Sequence, residues 1–150
     1  MAFKFKLNQL LQIALHEENE VKNALARKDG EIAKLNEQIK EFQEKQAQAC
    51  ADQQKAMLSG DLITARMYPA YLKSLKKSED FYANEMQLQQ KEREKIMTAY
   101  LEKQRKRKIF EKMREADEAK WKKEMLKKEQ VRLDEFSSRK KTSLMETDDA

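Results

Sequence analysis

Turn-forming residues are scarce: the 150 residues include 2 Gly and 1 Pro. A chain with so few breaks cannot fold back many times. Gly30 and Gly60 stand far apart, which excludes a Walker A loop or a dinucleotide fingerprint, since both need glycines within a few residues. One Cys and one His exclude an internal disulfide and a structural zinc site. Cys50 and His16 lie 34 residues apart. On one helix that is roughly 50 Å, too far for the hydrogen bond of a catalytic dyad. No stretch approaches the roughly 20 apolar residues that span a bilayer. The opening MAFKFKLNQLLQIALHEE has neither a long apolar run nor a small-residue cleavage site, so no signal peptide is expected. A single cysteine fits a reducing compartment, and the expected setting is cytoplasmic.

What is present is charge: 39% of residues are Asp, Glu, Lys or Arg, against about 25% in ordinary globular domains. Disordered chains are also highly charged, but they are usually rich in Pro, Gly and Ser. Here Glu, Lys, Gln, Leu, Ala and Met dominate, and these are good helix formers. Long helices with a narrow apolar seam follow. A thin helical rod has no cavity in which to desolvate a carboxylate, so no catalytic residue, metal site or cofactor is expected.

Stepping alternately by four and three residues from Leu7 reaches Leu11, Ala14, Glu18, Val21, Leu25, Lys28, Ile32, Leu35, Ile39, Phe42, Gln46, Ala49, Gln53 and Ala56. Eleven of the fifteen are apolar, the mark of a sustained heptad. The second half carries a noisier stripe: Leu72, Leu75, Tyr82, Met86, Ile96, Tyr100, Phe110, Met113 and Trp121. Its phase drifts, as a 3.6-residue turn does against a 3.5 repeat.

Between the halves stands MLSGDLITARMYP. Gly60 suits the C′ end of a first helix in the left-handed conformation. Pro69 suits the first turn of a second, where its missing N–H does no harm. The spacing predicts an all-α fold, a long antiparallel two-helix coiled-coil hairpin forming a single elongated domain. Its first arm covers about 3–57 and its second about 69–141. The link 58–68 contains a short helix or an irregular segment, and 142–150 is a frayed tail. At 1.5 Å per residue the arms span roughly 80 and 108 Å.

A fold-back centred near residue 63 sets residue i opposite roughly 126 − i. Phe42 then meets Tyr82, Leu25 meets Leu101, Ala49 meets Leu75 and Leu11 meets Met113. The basic run 103–108 falls opposite Glu17, Glu18 and Glu20. The first arm ends opposite about residue 123, so 124–141 overhang with Met125, Leu126, Val131, Leu133 and Phe136 uncovered. The formal charge is +5, and residues 91–141 carry 19 basic and 11 acidic side chains. A basic helix can track phosphates. Lys103 to Lys108 surround the helix and face glutamates, however, so no nucleic acid is expected and a basic nucleic-acid-binding rod stays a second alternative. Two other classes remain open, a passive coiled-coil spacer and a stalk with a specific partner. The seven internal methionines serve as seam filler or as an adaptable partner surface.

The order of three segments resembles the flagellar type III export family FliJ. FKFKLNQLLQIALHEENEV is similar to that family's opening, SGDLITARMYPAYLKSL to its turn and re-entry, and EQVRLDEFSSRKK, with Glu129 and the Asp134–Glu135 pair, to its close. The YscO-like stalk proteins of virulence secretion are the counterpart. The resemblance implies a non-enzymatic antiparallel coiled coil like the central stalk of a rotary ATPase. The partners it implies are the hexameric export ATPase, the cytoplasmic domain of the export-gate membrane protein, and export chaperones. The chain would be cytoplasmic and peripheral to the membrane export apparatus, without direct membrane insertion. The ATPase-binding residues it implies are Phe5, Leu7, Leu10, Leu11, Arg132, Asp134, Glu135 and Phe136. The export-gate set is Leu35, Ile39, Phe42, Gln46, Tyr71, Leu75, Ser78 and Tyr82. At Gln46 the family tends to carry an aromatic residue.

Overall fold

A computed structural model describes residues 2–148, with side chains described through Met145. Two helices make the fold, α1 (Asn8–Ser59) and α2 (Leu62–Asp148). They form an all-α hairpin with no strand among the described residues. Contacts cluster into two units, residues 17–103 around the turn and residues 1–16 with 104–150 around the termini.

The turn is tighter than the sequence suggests. Gly60, at φ 81°, is the left-handed C′ residue of α1. Its N–H reaches the Met57 carbonyl at 3.2 Å, and the Asp61 N–H reaches the Ala56 carbonyl at 3.0 Å. These are the paired bonds of a Schellman motif. Asp61 caps α2 at once. Its carboxylate accepts the Thr64 N–H at 3.2 Å and the Thr64 hydroxyl at 2.6 Å. With Asp61 as cap, α2 starts at Leu62, and no separate link over 58–68 remains. Pro69 therefore lies inside α2 rather than in its first turn. There it deprives the Ala65 carbonyl of its helical donor, at a cost of about 3 kcal/mol.

Gly60→Ala tests the turn. A Cβ at this position meets nothing within 4 Å, so the cost is conformational alone. It should be about 1–2 kcal/mol, read as a lower urea midpoint at constant slope.

In the unit around the turn the helices are held across a seam. Phe42 stacks on Tyr82 with ring centroids 5.5 Å apart. The Lys103 ammonium meets Glu17 at 2.9 Å. Facing residues follow roughly 122 − i. The shift of about 4 from the expected register follows from a turn centred on 60–61. Every one of the fifteen heptad positions of the first arm, including Glu18, Lys28, Gln46 and Gln53, is buried or half-buried.

The second arm keeps the same rhythm. Tyr68, Leu72, Leu75, Glu79, Tyr82, Met86, Gln89, Arg93, Ile96, Tyr100 and Lys103 are all buried or half-buried. The apparent drift arose because polar residues hold four of these positions. Each finds a partner on α1: Glu79 with Gln46, Gln89 with Lys28, Arg93 with Asp29, and Lys103 with Glu17.

In the terminal unit the first arm becomes helical only at Asn8, not at residue 3. The Asn8 N–H bonds the Phe5 carbonyl in a turn. Phe5 is 8% exposed, and Phe3 lies against Trp121 at 5.9 Å. Burying two aromatic rings holds this segment out of the helix. Leu11 and Ala14 are each 2% exposed. Met113, expected on the inner stripe, is exposed. The expected frayed tail is helical through Asp148, and the Thr142 hydroxyl bonds the Ser138 carbonyl. Residues 149–150 lie outside the described part.

Candidate functional site

Around the turn, the residues singled out for an export-gate contact separate by burial. Leu75 is buried, and Leu35, Ile39, Phe42, Gln46, Ser78 and Tyr82 are half-buried on the seam. Only Tyr71 is exposed. The structure brings Phe42, Tyr82 and Gln46 together. Gln46 Nε2 donates to Glu79 at 2.6 Å, and Lys45 sits 5.5 Å from the Phe42 ring centre. Phe81 meets Tyr82 edge-on at 5.5 Å and stays 64% exposed. It presents this aromatic cluster to solvent.

Sequence reasoning missed a second exposed group, Met57, Leu58, Leu62, Ile63 and Met67, beside the turn. The signal was available. Each is apolar yet off the four–three grid, as are Phe81 and Leu88. In a chain this polar, an apolar residue out of phase with the seam has no internal partner.

Polar links set the electrostatics of the same unit. Lys28 Nζ donates to Gln89 at 2.6 Å and to Glu92 at 2.7 Å, and Arg93 pairs with Asp29. The Glu92 contact holds the Lys28 ammonium above its usual 10.5. Lys28 in turn holds Glu92 below its usual 4.5. Hydrogen bonds from Gln46, then Gln43, hold Glu79 below 4.5. The Thr64 hydroxyl, then its N–H, holds Asp61 below 3.8. The depressed carboxylates add stability that is fully present above those ordinary values and is lost as acid titrates them below. The raised Lys28 adds stability that is fully present below 10.5 and is lost as pH climbs through its higher value. These four groups therefore leave stability level across neutral pH. Thermal unfolding followed by circular dichroism should show losses only on the acid side of the carboxylate range and the alkaline side of 10.5.

In the terminal unit, the proposed ATPase contacts also divide. Leu11 and Phe5 are buried and Leu7 is half-buried, so packing occupies them. Leu10 is exposed, as are Ile13, Ile109 and Met113, which the sequence reading did not select for this contact. Met125 is the last half-buried residue of α2, and every residue from 126 to 145 is exposed, including Arg132, Asp134, Glu135 and Phe136. Leu126, Val131, Leu133 and Phe136 are each more than half exposed. The overhang read from the sequence is present. Among the described residues no cluster of His, Cys, Asp or Glu is placed to hold a metal ion. No helix there is long and apolar enough to cross a membrane.

A two-helix hairpin with polar links across its seam and an exposed helical extension belongs to the class of antiparallel coiled coils. The model of the Flagellar FliJ protein family matches residues 3–142, and the chain belongs to that family. Neither a curated protein nor a solved structure matches it. Family membership makes it an export-related stalk protein of the flagellum, from a family whose members are in general non-enzymatic.

Proposed function

We propose that this chain is a cytoplasmic stalk that binds the hexameric export ATPase, promotes its ring assembly and hydrolysis, and couples it to the export gate. The exposed end of α2, residues 126–145, carries the reading. A passive spacer has no need of Leu133 and Phe136 in water, whereas a ring-binding stalk does. Leu10 and the overhang, with Arg132, Asp134, Glu135 and Phe136, form the ATPase end. The aromatic cluster of Phe42, Phe81 and Tyr82, with Tyr71, supports a contact between the unit around the turn and the cytoplasmic domain of the gate protein. Export chaperones are handled by the same stalk, which does no chemistry itself.

The test is to mix the purified chain with the matching export ATPase and measure hydrolysis and ring assembly. Both should rise. A stable helical hairpin that changes neither would instead define a passive adaptor.

A further inference from the structure

Trp121 and Met125 are the last half-buried positions of α2. The four–three rhythm continues beyond them through Lys128, Arg132, Glu135, Arg139 and Thr142. All of these are polar and exposed. The seam face turns hydrophilic where cover ends, so a longer first arm would find nothing apolar to pack on. Leu126, Leu133 and Phe136 nevertheless share a face of their own, at i, i+7 and i+10. At 3.6 residues per turn this face lies about 100° round the helix from the continued seam. Lys122 and Lys140 stand at the two ends of this line and Glu129 within it, while Lys123, Lys127 and Lys141 run beside it with Asp134.

We infer that Leu126, Leu133 and Phe136 form a second docking face, distinct from the seam, which lies in an apolar, carboxylate-rimmed groove of a protein partner. The lysine flanks supply the charge complement of such a rim. Glu129 falls within the stripe, three residues after Leu126 and four before Leu133, so it faces a donor inside the groove rather than the acidic rim. A stripe of three apolar residues is narrow for membrane binding. A helix laid in a groove needs only a few anchors at such spacings. The inference rests on the reading that the overhang engages the export ATPase, and it assigns the contact to one face. On that face Phe136 is an anchor, while Lys128 and Thr142 on the continued seam stand aside.

The test compares full-length chains by titration calorimetry against the cognate export ATPase. L133A/F136A should weaken binding by about tenfold or more, as loss of central anchors does. K128A/T142A, on the continued seam, should change it by less than about threefold. Equal helicity of both variants by circular dichroism shows that neither acts through folding. Wild-type binding that survives L133A/F136A, or that falls only with K128A/T142A, overturns the face and leaves the ATPase reading standing. Failure of the wild type to bind overturns both. A wild-type dimer in light scattering that L133A/F136A dissociates makes a second copy the occupant and overturns the inference. Flotation with phosphatidylglycerol vesicles that depends on Leu133 and Phe136 overturns it in favour of a lipid surface.

Discussion

Removing residues 131–150 will abolish stimulation of the export ATPase and leave the hairpin as stable as before. No described residue from 126 to 145 is buried or half-buried, so the deletion takes away no packing. An α-helix ends wherever its last carbonyls find water, and shortening one at an exposed point costs little beyond fraying. The unfolding midpoint should therefore stay within a few degrees, and mean helicity per residue should hardly change. Hydrolysis, in contrast, should return to the rate of the ATPase alone, because the deletion removes Leu133 and Phe136 together. Stimulation that persists in the truncated chain would move the ATPase contact elsewhere. A joint fall in stimulation and midpoint would mean that the overhang supports the fold.

Among the buried apolar residues of the unit around the turn, Leu75→Ala will have the largest effect on stability, about 2–3 kcal/mol. In the unit around the turn the buried apolar residues are Ala49, Ala65 and Leu75, and only Leu75 is large. Leu→Ala in a core costs about 2–5 kcal/mol depending on how far the cavity collapses. Two helices with solvent on both sides can close part of the gap, which favours the lower half. Urea unfolding should show a lower midpoint at unchanged slope. Leu58→Ala, at an 85% exposed residue of the same hairpin, is the control and should stay within about 0.5 kcal/mol. Similar losses for the two variants would refute the seam as the source of stability.

The first arm was legible because apolar residues hold most of its grid, and the polar members Glu18, Lys28, Gln46 and Gln53 could be placed by position alone. The second arm was harder to read. Glu79, Gln89, Arg93 and Lys103 occupy its grid, and only the facing Gln46, Lys28, Asp29 and Glu17 explain them. A polar seam residue is intelligible as half of a pair, and a single stripe shows one half. Gly60 read correctly since a positive φ leaves few alternatives. Pro69 misled, since first-turn placement is a local preference and the Asp61 cap overrode it. For the site, the overhang followed from unequal arms. Burial of Phe5 did not, because its fate depends on a non-helical opening that the heptad pattern does not encode, whereas the heptad already set Leu11 on the seam.

The ladder of cross-seam pairs carries a kinetic meaning. Gln46 and Glu79 are 33 residues apart in the chain, Lys28 and Glu92 are 64, and Glu17 and Lys103 are 86. Closing the widest of these loops from an open chain costs about 0.8 kcal/mol more than closing the narrowest. If each pair forms after the one nearer the turn, the next closures span about 31 and then about 22 loose residues instead of 64 and 86. The hairpin then zips outward from Gly60 and Asp61, and the Schellman–cap corner is its nucleus. On that order Gly60→Ala should slow folding and barely change unfolding, read from the two limbs of a urea chevron. The outer pair, Glu17 with Lys103, is the last of these links to form and the first to open.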